Sequence, residues 1–108
     1  MTDRPPPPEA LDPIIHVAAR LRIVAALAVL PGGDEIAFPK LQKLLEVTSG
    51  NLATHLRKLE DAAYIRVTKT IQGRTPVTWI RLTDEGRTAF RGYKRALRAL
   101  LEPSLPSE

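Results

Sequence analysis

The residues of this sequence whose types and spacing could do chemistry lie between Val47 and Glu60. Apolar residues recur there every three or four positions, which is the spacing of one buried face of a helix. They are Leu52, Leu56, Leu59 and Ala63. The other face holds small polar groups and cations, which suit the base edges and phosphates of a nucleic acid. They are Gly50, Asn51, Thr54, Arg57 and Lys58. An ordinary amphipathic helix with a solvated outer face fits this stretch equally well.

The start of this helix is clearly marked. Thr48 can cap the free N–H groups of the first turn, and Val47 can pack against Leu52 one turn later. The sequence therefore predicts a helix over residues 49–63. Its small polar residues cluster at the N-terminal end, which is the end that a recognition helix inserts into the major groove of DNA.

Composition sets the class of protein. The chain has 108 residues, of which 44% are hydrophobic and 26% charged, and this is typical of one soluble domain. No apolar run approaches the roughly 20 residues of a membrane span. The N-terminus has no basic-then-apolar signal, so we expect a cytoplasmic protein. The net charge of +4 is compatible with a polyanionic partner but does not prove one.

Catalysis and metal binding find little support in the sequence. The absence of cysteine excludes disulfides, thiolate metal sites and cysteine nucleophiles. The two histidines, His16 and His55, are far apart on different predicted helices, without carboxylates at ligand spacing. No Ser/His/Asp set, Gly-rich phosphate loop or carboxylate pair can be assembled. We therefore expect no enzyme activity, no metal and no cofactor.

The N-terminal third predicts a tail and a first helix. Residues 1–12 include four consecutive prolines and are interpreted as a flexible tail, more simply a spacer than a ligand for an aromatic groove. Asp12 and Pro13 provide an N-cap and a first helical residue for a helix from Ile14 to Leu30. This helix is apolar around much of its circumference, which implies a second partner surface.

A second, shorter helix precedes the helix predicted over residues 49–63. After a short β-like or extended link at residues 35–38, Pro39 begins a helix to about Glu46, with Leu41, Leu44 and Leu45 facing inward. A tight connection at residues 47–50 then joins the two helices. This is the helix-turn-helix pattern, which also occurs in proteins that do not bind DNA.

A basic hairpin follows the helices. Pairing Ile65 with Leu82 and Val67 with Ile80 places four apolar residues on one face, with Trp79 on the other, where it would cover the strand or a subunit contact. The segment from residue 64 to residue 82 contains no acid. Its bases are Arg66, Lys69, Arg74 and Arg81. We expect this two-stranded wing to contact phosphates, although basic side chains also keep an edge hairpin soluble.

The last helix is predicted to be long. Thr83 caps it, Asp84 and Glu85 occupy its first turn, and it runs to about Glu102 before Pro103. Its apolar stripe exceeds what one small core can cover, so part of it should contact another chain. The expected dimer-interface residues are Ile14, Ile15, Tyr93, Leu97, Leu100 and Leu101. The folded domain is thus expected at residues 13–102, with a flexible tail at residues 103–108.

The predicted fold class is α+β, mainly α: a winged helix-turn-helix with a two-stranded wing and a long C-terminal helix. Three segments, ARLRI at 19–23, TSGNLATHLRKLE at 48–60 and LTDEGR at 82–87, are similar to the small winged helix-turn-helix regulators of the MarR and ArsR groups. The resemblance implies a homodimer joined by the first and last helices, with two recognition helices in successive major grooves and the wings on flanking DNA. The chain lacks the cysteine ligands of the thiolate-type ArsR metal sensors.

The sequence therefore predicts a dimeric transcriptional regulator that binds double-stranded DNA sequence-specifically, with repression as the expected mode. The alternative is a winged-helix module that binds protein and not DNA. An effector could bind at the dimer seam. The candidate DNA-binding residues are Ser49, Gly50, Asn51, Thr54, His55, Arg57, Lys58, Lys69, Arg74 and Thr75. His55 could approach a phosphate or pack beside the core.

Overall fold

Helices and one antiparallel sheet make up residues 11–102, the part of the chain that the computed structural model describes. In chain order they are α1 (Ala18–Ala28), β1 (Ile36–Ala37), α2 (Phe38–Leu45), α3 (Ser49–Asp61), β2 (Ile65–Gln72), β3 (Thr75–Leu82) and α4 (Asp84–Leu101). The predicted order and the mainly helical α+β class are confirmed. The tails were predicted at residues 1–12 and 103–108, and all of these residues except 11 and 12 lie outside the described part of the chain.

The first helix begins later than predicted, at Ala18 and not at Ile14. Asp12 does cap a turn, because its Oδ1 accepts hydrogen bonds from the N–H groups of Ile14 (2.8 Å) and Ile15 (3.4 Å). Val17 is extended, however, with φ −135° and ψ 125°, so the turn does not continue into α1. Asp12 also accepts a hydrogen bond from the Tyr64 hydroxyl, 2.5 Å away. The boundary predicted between residues 12 and 13 is therefore wrong, since Asp12 belongs to the folded domain.

Threonine residues cap the N-terminal ends of α3 and α4, as predicted. Thr48 Oγ1 accepts from the N–H of Asn51 at 3.1 Å at the start of α3, and Thr83 Oγ1 accepts from the N–H of Gly86 at 2.9 Å at the start of α4. Side-chain acceptors at this position satisfy N–H groups that have no partner within the helix.

The end of α3 differs from the prediction, because the helix stops at Asp61 and not at residue 63. Ala63 has φ +65° and is exposed, so it does not extend the buried stripe. Its N–H donates to Glu60 (2.9 Å), and that of Tyr64 donates to Leu59 (3.0 Å). These two bonds form a Schellman motif, which ends a helix with one left-handed residue.

The hairpin has the predicted register, with Ile65 opposite Leu82 and Val67 opposite Ile80. The sheet has one strand more than the predicted two-stranded wing, because Ile36 and Ala37 of β1, within the link predicted to be β-like or extended, pair with Ile80 and Trp79 and give the order β1-β3-β2. The extended link before α2 thus covers the free edge of β3. The backbone N–H and C=O groups on that edge of β3 thereby gain hydrogen-bond partners that the hairpin alone would not supply.

One core fills the space between α1, α2, α3 and the base of the sheet. Its largest fully buried side chains include Ile23, Leu41, Leu52, Leu59 and Ile80. Leu44 was expected to face inward but is 60% exposed. Leu41 and Leu45, one turn apart, take the core side of the short helix α2, and this turns Leu44 to the edge of the apolar stripe.

Candidate nucleic-acid interface

Helix α3 presents its polar face to solvent and its leucines to the core. Leu52, Leu56 and Leu59 are buried. The exposed residues of this helix include Ser49, Gly50, Asn51, Thr54, Arg57 and Lys58. The large apolar side chains that are exposed among the described residues are all on other elements. The free face of α3 is therefore polar and cationic.

The first turns of α3 orient two polar side chains. The Thr54 hydroxyl donates to the carbonyl of Gly50 at 3.0 Å, so its single proton is used within the helix. Toward an outside partner Thr54 can then only accept a hydrogen bond. Asn51, one turn earlier, carries an amide with both donors and acceptors on the same exposed side.

His55 lies differently from these residues. Its ring is half-buried, and Nδ1 is fully covered without a hydrogen-bond partner. The ring lines a cavity of about 70 Å³ together with Ala19 and Ile23 of α1. This position favours packing beside the core over contact with a phosphate.

A cleft separates α3 from the wing, and we call it the wing cleft. It has a volume of about 380 Å³, and Arg57 of α3 and Lys69 of β2 both line it. Phe38 and Val67 contribute apolar surface, and Glu60 is the acid among the lining residues. The structure thus brings together two of the predicted cations from opposite walls of one concave surface.

The four bases of the wing lie on its two faces and at its tip. Lys69 shares a face with Val67, whereas Arg66 and Arg81 pair directly with each other on the opposite face. Arg66 and Arg81 therefore lie on the face of the hairpin that is turned away from the wing cleft. Arg74 occupies the tip, where Gly73 has φ +65° in a two-residue turn, and both Arg74 and Thr75 are exposed.

Trp79 lies on the outer face, opposite Thr68 and on the side away from Val67, as predicted. Its Nε1 donates to Thr70 Oγ1 at 3.0 Å, and its indole lines a depression that Leu44 and Val29 share. The side chain covers strand β2 and is turned away from the wing cleft.

Comparison with known proteins assigns this architecture to a family. The family model described as "Winged helix DNA-binding domain" matches residues 19–101. The chain belongs to the winged helix DNA-binding domain family.

Three proteins illustrate what this winged helix is similar to. An uncharacterized protein of Methanocaldococcus jannaschii is 41% identical over 81 residues, which are 74% of this chain and 84% of that protein. The structure of a transcriptional regulator homologue from Pyrococcus horikoshii is 30% identical, with a TM-score of 0.74 over 82% of this chain and 85% of that one. Bacillus subtilis PadR, solved in complex with operator DNA, is 21% identical, with a TM-score of 0.54 over 82% of this chain and 52% of PadR. PadR is similar in fold alone.

The residues expected at a dimer interface fall into two groups. Ile15 and Tyr93 are 0% and 3% exposed within a single winged helix, so they are not accessible to a partner chain. The prediction that these two residues lie at a dimer interface is therefore wrong. The non-helical segment before α1 folds over α4, where His16 Nδ1 lies 2.9 Å from the Tyr93 hydroxyl. Ile14 and Leu97 are half-buried, and Leu100 and Leu101 are 62% and 70% exposed.

Two residues that pack against the segments on either side of α3 were not predicted from the sequence. Arg22 of α1 donates from Nη2 to the carbonyl of Leu45 at 2.7 Å, next to the turn between α2 and α3. A Cβ on Gly86 would overlap the carbonyl oxygen of Tyr64. Glycine in the first turn of a helix is a signal for such a close approach, whereas Arg22 had no distinguishing signal.

Within residues 11–102 no cluster of three His, Asp or Glu side chains could hold a metal ion. No helix in this range is long and apolar enough to cross a membrane.

Proposed function

We propose that this winged helix binds double-stranded DNA sequence-specifically as a homodimeric transcriptional regulator and acts as a repressor. The observation that carries the proposal is the common surface formed by the exposed polar face of α3 and the cationic wall of the wing cleft. Helix α3 would enter the major groove, and the wing would contact the flanking backbone or minor groove.

Each part of this surface has a distinct role in the proposal. Asn51 and Thr54 lie near the N-terminal end of α3, where side chains reach base edges. Arg57, Lys58 and Lys69 would neutralise phosphates, and Arg74 would reach beyond them from the wing tip. Ser49 and Gly50, at the start of the helix, allow close approach to the sugar-phosphate backbone, and Thr75 supports the tip.

Dimerisation is supported by the C-terminal end of α4. Leu100 and Leu101 place two large exposed apolar side chains next to each other, beyond the part of α4 that packs on the core. Such a patch is stabilised by a second copy, which would place two α3 helices on two half-sites. Repression needs no more than occupancy, because a protein seated on a promoter excludes other proteins from it.

The rival proposal is a module that binds protein through α3. It would call for large apolar side chains on the exposed face of α3, and that face instead carries amide, hydroxyl and cationic groups. The chemistry of this face therefore favours DNA.

Selection of bound duplexes from a random pool tests the proposed function. We expect an enriched motif with two related half-sites, whose centres are about 10 base pairs or a multiple apart. A pool that remains random after several rounds, with binding governed only by salt, would reject sequence-specific binding. An enriched single site would reject the dimer and leave DNA binding intact.

A further inference from the structure

The tip of the wing carries an exposed apolar pair. Ile71 is 74% exposed, and its cross-strand partner Pro76 is exposed as well. Exposure of a large aliphatic side chain to water is unfavourable. A hairpin that contacts only solvent would be more soluble with a polar residue at this position. The pair lies one residue from the turn on each strand, so the body of the domain does not cover it.

Both residues point to the same side as the proposed DNA-binding surface. Side chains alternate along a strand, so Ile71 shares a face with Lys69 and Val67, which line the wing cleft. The proline ring restricts the backbone at Pro76. The apolar pair therefore projects from a restrained hairpin on the concave side of the molecule.

The charges around the pair indicate the kind of partner. Lys69 precedes Ile71 by two residues and Arg74 follows in the turn, while residues 64–82 contain no acid. An apolar protein partner would have to bury these cations, which is costly without matching acids. The minor groove of DNA combines phosphate rims with the hydrocarbon walls of the sugars, and aliphatic or proline side chains can wedge between its base steps.

We propose that Ile71 and Pro76 form a wedge that enters the minor groove of the DNA flanking the α3 contact and prefers A·T pairs there. This inference rests on the proposed function and adds an apolar contact to it. The exocyclic amino group of guanine projects into the minor groove, so a G·C pair obstructs an aliphatic side chain where an A·T pair does not.

A pair of threonine variants tests the wedge. Ile71→Thr keeps a β-branched side chain but removes apolar surface, and Val77→Thr makes the matched change on the opposite face of the same hairpin. We expect Ile71→Thr to weaken operator binding about tenfold, since burial of an isoleucine is worth at least this factor. Val77→Thr should bind within about twofold of the natural protein, a difference small on the same scale.

Base analogues test the groove. Replacing the flanking A·T pairs by inosine·cytosine changes the major groove but leaves the minor groove without the amino group, whereas G·C adds it. The natural protein should bind the A·T and inosine·cytosine operators alike and the G·C operator more weakly. The Ile71→Thr variant should show a smaller difference between the inosine·cytosine and G·C operators.

The outcomes separate this inference from the proposed function. If the natural protein binds no duplex selectively, the proposed function fails. If it binds selectively while Ile71→Thr retains full affinity, or if the inosine·cytosine and G·C operators bind equally, the wedge alone is rejected. A change in sedimentation of Ile71→Thr, with unchanged DNA affinity, would instead identify the pair as a protein contact.

Discussion

The guanidinium of Arg22 in α1 is hydrogen-bonded to the carbonyl of Leu45, the last residue of α2, at 2.7 Å. The C-terminal carbonyls of a helix have no partners within it, and a cation at this end also complements the helix dipole. The bond ties α1 to the turn that sets the direction of α3. A residue of α1 thus helps to position the polar face of α3.

We expect Arg22→Met, which keeps the aliphatic stem and removes the donors, to lower the free energy of unfolding by about 1 kcal/mol. Operator affinity should fall as well, because the turn before α3 loses a restraint. Arg22→Lys retains a charged donor and should lose less. Urea unfolding and DNA titration measure the two effects, and an unchanged unfolding midpoint for Arg22→Met would contradict the structural role.

Gly86 and Gly92 lie in the same helix but differ in their surroundings. A Cβ at Gly86 would meet the Tyr64 carbonyl and the Leu82 side chain, whereas nothing lies within 4 Å of a Cβ at Gly92. We expect Gly86→Ala to lower the free energy of unfolding by about 2 to 3 kcal/mol through overpacking. Gly92→Ala should raise it by up to about 1 kcal/mol through helix propensity. Chemical unfolding of both variants checks the pair, and equal effects would show that the close approach is not restrictive.

Replacement of Asn51 by alanine and replacement of Arg74 by alanine should change DNA binding in different ways. Asn51→Ala should reduce the discrimination between operator and random DNA by about 1–3 kcal/mol and leave the salt dependence nearly unchanged. Arg74→Ala should weaken binding to most sequences alike and lower the salt slope by about one. Titrations at several salt concentrations on both DNAs separate these results. If neither variant changes affinity, the protein-binding alternative becomes the better interpretation.

The exposed end of α4 should control association. Leu100→Glu places a carboxylate in the proposed dimer contact and should shift the protein toward monomer, because a buried unpaired charge is costly. Leu44→Glu makes the same change at a side chain of similar exposure, 60% against 62%, on α2 and not on α4. Sedimentation equilibrium should show a dimer for Leu44→Glu. Equal behaviour of the two variants would place the interface elsewhere.

Alkaline pH should weaken the link between Asp12 and Tyr64. Partial burial, together with the hydrogen bond to Asp12 and its negative charge, raises the pKa of Tyr64 to about 12. A pKa raised in the folded state gives stability that is fully present below the unfolded value near 10 and is lost as the pH rises toward 12. The unfolding free energy should therefore fall between pH 10 and pH 12. Tyr64→Phe should reduce that fall, and an identical pH profile would contradict the assignment.

Several features follow from local sequence alone. The caps Thr48 and Thr83, the buried leucines of α3 and the pairing of Ile65 with Leu82 were all predicted correctly. Capping bonds span three residues, helical faces repeat every three or four, and strand faces alternate. A tight turn with Gly73 then sets the hairpin register. Each rule acts over a few positions, so a single sequence is enough to apply it.

Tertiary structure alone decided which apolar and polar groups meet across the chain. The Tyr64 hydroxyl reaches Asp12, 52 residues away, and Arg22 reaches the Leu45 carbonyl across two helices. Ile15 and Tyr93 become buried because α1 begins only at Ala18 and the non-helical segment before it folds onto α4. These outcomes depend on competition among distant partners for the same buried space and the same hydrogen bonds. Periodicity and propensity do not encode that competition, because they describe one element at a time.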